Sequence, residues 1–588
     1  MRACGASAIL PRRMRRLRPA LLPLLLLIPL GARAEVVKGP LGASLDSYLS
    51  DLTHFGYSGS VLVAQHGEVI LNKGYGLADR ARGTPFTSDT VFDIASISKQ
   101  FTAAAVLRLE MQGKLKVEDR LKRFFPDAPP DKGAITLHQL LTHTAGLPET
   151  LGPEDEALPR HAFLKRVYAT RLLSPPGQKF LYSNAGYSLL AAVVEVASGR
   201  PFGEFLRDQV FLPAGMRHTG FIPDAQDRPR LAHGYNGDGD WGTSLDHPRA
   251  PDGPWWGLRG NGGILTTTGD LYLWFKALLG DAVLSAAERA KYEKPYIRET
   301  GAEYPQYAYG WSFSKSPSGH RKLAHVGGNG AFQSDFRRYP EDGAMIAIGS
   351  NTDDYSSIAV ANHLEGWLFG QPFVDPLTLV PAKEEELRRC AGTYELAGTP
   401  PEPITVTAEK ERLAVTPEGP TGLVLLSGKP EGKRLKRFGA REERVSEAMA
   451  AARRGDLKPL AGICVDADEA AKHWRAVMTR TEAKLGPWQV ITMLGTRSIG
   501  GQIVTHARLL FKKGTRVLDV AWAGSLADHV TVSDRVQPTF FLPDGPSRFV
   551  TFDVGTDTVG HLTCEGTGAA APSLRLEGPS GTVTMRRK

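Results

Sequence analysis

At 588 residues the chain is too long for one hydrophobic core, and two or three domains are expected. With 42% hydrophobic and 23% charged residues, it is neither disordered nor collagen-like. The formal charge of +8 does not imply a nucleic-acid partner: residues 1–34 hold seven arginines and no acid, and the remainder is close to neutral.

The first 34 residues carry the pattern of a secretory signal peptide. Five arginines between positions 12 and 18 precede an apolar run from Leu21 to Leu30, and Ala32-Arg33-Ala34 offers a small-x-small cleavage site before Glu35. The run is too short for a membrane-spanning helix, which takes roughly 20 residues. Transit peptides are amphipathic rather than leucine runs, which favours export to the periplasm or the medium. No transmembrane span is expected in the mature chain.

Leu41 to Leu52 has helical apolar spacing. Gly59–Ala64 and Val69–Gly76 are then two strand-like runs joined at His66-Gly67-Glu68, which reads as a hairpin. Ile97 to Gln112 is helical in spacing and ends at Gly113. Residues 115–257 are proline-rich helix and loop, and a further helix follows the glycine pair at 262–263. Tyr307–Phe313, Lys322–His325, Ala331–Tyr339 and Ala344–Ser350 alternate like neighbouring antiparallel strands, and Ile358–Phe369 reads as a closing helix. Helix, strands, helical insert, strands and helix imply an α+β fold whose two chain ends share one sheet.

Composition shifts near 375–388. Residues from Gly392 are β-rich, 441–485 are helical in pattern, and strands dominate again from Trp488. No repeat of solenoid period is present. The expected division is 1–34 signal peptide, 35–380 first domain, and 386–588 a C-terminal accessory region. Within the last, an α+β module at about 441–535 interrupts a small β-domain. Cys4 leaves with the signal, so Cys390, Cys464 and Cys564 allow one disulfide with one thiol over.

Three short motifs carry the chemistry. Ser96-Ile97-Ser98-Lys99 places a hydroxyl and an amine one helical turn apart, so Lys99 can reach the Ser96 hydroxyl. A second match, Ser312-Phe313-Ser314-Lys315, lies in an alternating run, where i and i+3 point to opposite faces. Tyr182-Ser183-Asn184 sits on a loop before an apolar helix and supplies a phenol and a carboxamide. His325-Val326-Gly327-Gly328 ends a strand-like run, where glycine lets a substrate backbone approach. A hydroxyl nucleophile, an amine and a phenol are what a serine acyl-transfer site requires. No metal-ligand spacing such as HExxH appears, and no metal or cofactor is expected.

With these residues assembled, residues 40–372 resemble the serine β-lactamase-related hydrolases: class C β-lactamases, D-alanyl-D-alanine carboxypeptidases, D-aminopeptidases and related esterases. Phe92–Thr102, Leu140–Pro148, Asn261–Asp270 and Gly349–Asn351 look like that family's framework, with His138 and His143 structural. The resemblance implies a β-lactamase/transpeptidase-like antiparallel sheet flanked by helices, with a helical subdomain. It implies Ser96 as nucleophile and Lys99 and Tyr182 sharing the general-base task, the amine holding the phenol in a proton-accepting state. The N–H groups of Ser96 and Gly328 would form an oxyanion hole, and Asn184, His325 and Gly327 would contact the substrate. Lactamases of this type carry lysine where this chain has His325. Histidine there looks more like D-amino-acid peptidases and esterases, so small D-peptides or esters are the expected substrates. A weak β-lactamase, or a penicillin-binding sensor that acylates with little turnover, is the alternative. Ala391–Glu395 and the closing strands look like the β-domain often appended to these hydrolases, and the helical middle with Trp488–Trp522 looks somewhat like a cystatin-like module. Both read as accessory scaffold.

Overall fold

The hairpin 59–75 and the strands after residue 320 build one sheet. In this computed structural model, residues 35–588 are described, apart from 155, 237–238, 300–305, 353–354, 374–376, 378, 398–400, 428–431, 465–466, 524–525 and 579. The signal peptide expected at 1–34 lies outside the described residues.

The eight-stranded sheet runs Val36–Val37, Glu68–Tyr75, Gly59–Gln65, Ala344–Ser350, Gln333–Tyr339, Arg321–Gly328, Ser312–Lys315, Gln306–Tyr307, antiparallel throughout. Its middle seam pairs Val61 with Ile348 and Val63 with Ile346, which joins the N- and C-terminal halves of this unit. Side chains alternate between faces along a strand. Val61, Val63, Ile346 and Ile348 therefore pack under the helices Gly39–His54 and Ser357–Leu368. Leu62, Ala64, Met345 and Ala347 face the opposite core with helices Ser98–Met111 and Thr268–Leu279. Both faces are covered, so these strands read as continuous apolar runs.

Helix Ser98–Met111 is buried nearly all round, from Ser98 through Leu107. Alanines at 103–105 favour the helix and let its neighbours approach closely, and Gly113 at φ +69° ends the segment. Two readings of the sequence change. Tyr307–Phe313 is not one strand but a hairpin: Gln306–Tyr307 pairs with Ser312–Lys315 across a turn where Ala308 N–H donates to Trp311 O and Gly310 takes φ +78°. Alternating apolar residues hid that turn. The strand expected at 322–325 runs from Arg321 through Gly328, so both glycines lie in the ladder.

Behind the sheet, Arg337 is wholly buried and donates to Asp335 and to Glu365, which also accepts from Lys322. Charges taken out of water persist only when paired in this way.

Strands within 392–417 and 539–587 close an eight-stranded antiparallel barrel. Its interior is filled by side chains such as Tyr394, Val415, Phe541, Leu562 and Met585, as expected for eight strands. Between its third and fourth strands the chain leaves to form helices, among them Gly432–Arg453 and Ala467–Leu485, and a four-stranded sheet over Trp488–Ser533. Cys390 and Cys564 form a disulfide that ties helix Glu384–Cys390 to the barrel, and Cys464 is free and buried. With a sequence separation of 174, the crosslink stabilises the fold by about 5 kcal/mol in the chain-entropy account. Among the described residues no helix is long and apolar enough to cross a membrane.

Candidate active site

Ser96 sits in a tight turn, Ala95–Ile97, that feeds helix Ser98–Met111. The turn is held from several sides. Asp93 accepts the Ala95 N–H at 2.8 Å and the Ser244 hydroxyl at 2.9 Å, and Ile94 N–H donates to Ile264 O. Ala95 is forced to φ +43°, unusual for a residue with a Cβ. Such strain persists only where the surroundings over-determine it, and here it presents the next side chain to a cleft.

The helix brings Lys99 one turn on, where its Nζ donates to Ser96 Oγ at 2.9 Å and to Asn261 O at 3.0 Å. Lys99 is completely buried, and desolvation lowers its pKa to about 7 even though the carboxylates of Glu154 and Glu149 act to raise it. An amine so placed is in large part neutral at physiological pH and can accept the Ser96 proton.

Tyr182 comes from the loop before helix Asn184–Ser198, which Ser183 caps by accepting the Gly186 N–H at 3.0 Å. The Ser183 N–H donates to His143 Nδ1 at 3.0 Å, and the His143 ring lies against Tyr182 with centroids 4.3 Å apart. Lys99 Nζ lies 4.8 Å from the centre of the Tyr182 ring, and the nearby Ser96 hydroxyl acts to lower the phenol's pKa. The expected electrostatics are reversed here. Burial, together with Glu149, Glu154 and Glu299, pushes the phenol upward, so Tyr182 stays protonated. With both groups desolvated, the neutral amine rather than a phenolate is the ready base.

Ser96, Asn184 and Gly328 line one cleft of about 260 Å³, with Glu154, Trp241 and Arg249 also on its walls. The Asn184 Nδ2 donates to Glu154 Oε1 at 2.9 Å, while its buried Oδ1 has no partner. His325 and Gly327 are held by contacts within the protein. His325 is only 5% exposed, and its nitrogens are engaged by the Tyr307 hydroxyl at 3.1 Å and by Val326 O at 2.7 Å. Burial and Lys99 hold its pKa down at about 3, so the ring is neutral, and its centre lies 6.3 Å from that of the Tyr182 ring. Gly327 faces away from the cleft. A Cβ there would lie 2.2 Å from Ile94 O and 2.6 Å from Ser334 Oγ. Its role is to let the strand lie flush against the Ser96 turn. The other Ser-x-x-Lys, 312–315, is on a strand with Ser312 buried and Lys315 exposed.

Sequence reasoning missed Glu154, Tyr307 and the lysine-holding carbonyl of Asn261. Glu154 lies in a loop with no periodic signal, and the others contribute through tertiary contacts. Among the described residues, no cluster of His, Cys, Asp and Glu could hold a metal.

The Beta-lactamase family model matches residues 54–366, more than half of the chain. Penicillin-binding protein 4* of Bacillus subtilis is 29% identical over 380 residues, spanning 61% of this chain and 83% of that protein. Esterase EstB of Burkholderia gladioli is 35% identical over 188 residues, 28% of this chain and 47% of the esterase. Among solved structures, an octameric penicillin-binding protein homologue from Pyrococcus abyssi aligns with 92% of this chain and 99% of its own, at 17% identity and TM-score 0.49. The chain belongs to the β-lactamase family and is a serine hydrolase.

Proposed function

We propose that the protein is an exported hydrolase that acts through a Ser96 acyl-enzyme on small D-amino-acid peptides or esters. The observation that carries this reading is the 2.9 Å contact between Ser96 Oγ and a buried Lys99 whose pKa is about 7. Lys99 takes the hydroxyl proton as Ser96 attacks the acyl carbonyl. Tyr182, kept protonated beside Ser96 and Lys99, relays that proton toward the leaving group. The N–H groups of Ser96 and Gly328 hold the oxyanion, each such donor being worth roughly 3–4 kcal/mol. Asn184 orients the substrate amide, and water then releases the acyl group. Export rests on the signal-peptide pattern of residues 1–34. Residues 35–380 form the catalytic domain, and 386–588 the accessory region.

Two features support peptidase or esterase action over β-lactamase action. His325 is neutral, so it offers no fixed cation for a substrate carboxylate. Glu154 places a carboxyl group in the cleft beside Asn184, which disfavours anionic substrates when ionised. Burst kinetics with a chromogenic short-chain ester, beside Ser96→Ala and a fluorescent penicillin, test the proposal. A burst followed by steady turnover that Ser96→Ala abolishes is the expected result. One equivalent of penicillin label without turnover would replace it with the sensing role, and undiminished turnover in Ser96→Ala would sink it.

A further inference from the structure

A second cavity, of about 800 Å³, opens where the catalytic sheet, the barrel and the inserted four-stranded sheet meet. It shares no lining residue with the Ser96 cleft. Its volume lies in the range of small-molecule sites, roughly 300–1,000 Å³. Phe55, Tyr57, Tyr355, Phe540 and Phe552 make an aromatic wall.

Its polar centre is Arg497, which is only 2% exposed. The guanidinium is fixed from behind. Nε donates to His506 Nε2 at 3.1 Å, Nη1 donates to Thr539 Oγ1 at 2.9 Å, and Nη2 donates to Gln537 O. His506 is itself held by Asp519, its Nδ1 lying 2.6 Å from Oδ1. Because Nε2 accepts from arginine, the His506 proton sits on Nδ1 and points at that carboxylate. Burial lowers Arg497 to about 10, so it stays charged near neutrality. A guanidinium has five N–H donors, of which these bonds occupy three. No carboxylate bonds directly to it among the described residues. By contrast, Arg412 on the same wall is paired with Glu409 at 3.0 Å.

A second observation points the same way. The hydroxyls of Tyr57 and Tyr355, residues 1% and 3% exposed, are buried without a hydrogen-bond partner, and both residues line this cavity. A buried hydroxyl without a partner costs about 1–3 kcal/mol, and both lie on residues of this cavity's wall. Arg80, Arg412 and Arg535 also line it, as do Glu409, Asp519 and Asp553, so with Arg497 the lining carries a net +1 (4 − 3), which suits a single negative charge.

We propose that this junction cavity is a ligand site, distinct from the Ser96 cleft, for a monoanionic amphiphile: a carboxylate on the Arg497 fork and an apolar body against the aromatic wall. Calorimetric titration of the full chain carrying Ser96→Ala with octanoate, octanamide and inorganic phosphate tests it. Octanoate binds saturably at one site, octanamide at least about tenfold more weakly, and phosphate without saturation. Arg497→Gln weakens octanoate by about tenfold or more. Because removal of a buried arginine can prevent folding, Thr531→Trp, at a half-buried lining position, fills the cavity and abolishes binding in a folded protein. Absent octanoate binding, phosphate or octanamide binding as tight as octanoate, or octanoate binding unchanged in Thr531→Trp overturns the proposal.

Discussion

Gly327→Ala separates a glycine whose missing Cβ shapes the active site from one, Gly328, where a Cβ has room and the backbone N–H is kept. The added Cβ would lie 2.2 Å from Ile94 O, and carbon atoms at such positions stay beyond about 3.0 Å, so the strand and the Ser96 turn must part by about 0.8 Å. Ile94 is two residues before Ser96, the proposed nucleophile, and its carbonyl also accepts the Ser334 hydroxyl at 3.0 Å, so the shift is delivered to Ser96 itself. Displacements near 1 Å reduce rates by about 100-fold, or about 2.7 kcal/mol at the transition state. Overpacking of this kind also destabilises by about 1–3 kcal/mol. Gly328→Ala is the control, since its Cβ would meet nothing nearer than Phe332 O at 3.9 Å. The assay is kcat/KM on a chromogenic acetate ester, with thermal melting to show that both variants are folded. A loss of about 100-fold in Gly327→Ala beside less than about fivefold in Gly328→Ala is expected. A folded Gly327→Ala within about threefold of wild type would refute the reasoning.

With Lys99 as the proposed base, the acylation rate should rise with pH and level off above a midpoint near 7, because burial lowers its pKa to about 7. Below the midpoint the ammonium cannot accept the Ser96 proton; a flat profile between pH 5 and 9 in burst measurements would contradict this assignment. Glu154→Gln removes a charge that raises Lys99, so the midpoint should move to lower pH, and substrates bearing a carboxylate should gain relative to neutral esters. Asp335→Ala should destabilise the fold by about 3–5 kcal/mol in urea unfolding, because it leaves buried Arg337 short of its carboxylate partner. A change below about 1 kcal/mol would mean that the Arg337–Glu365 pair alone satisfies the guanidinium.

Local spacing was enough to place the Ser96–Lys99 pair. An i, i+3 arrangement on a helix brings two side chains together wherever that helix sits, and the 2.9 Å contact follows from it. A continuous apolar run likewise disclosed a strand of the central sheet, since every residue of Gly59–Ala64 is buried on one face or the other. Local pattern could not disclose what depends on packing from afar. The proton balance between Lys99 and Tyr182 is decided by desolvation from all sides, which motif spacing does not record. His325 is held by the Tyr307 hydroxyl, Gly327 faces Ile94 because two distant segments pack flush, and Glu154 enters the cleft from a loop without periodicity. The residue types and their order along the chain determined which chemistry is available. The burial and register that only the folded chain possesses decided which group is charged, which is neutral and which faces the substrate.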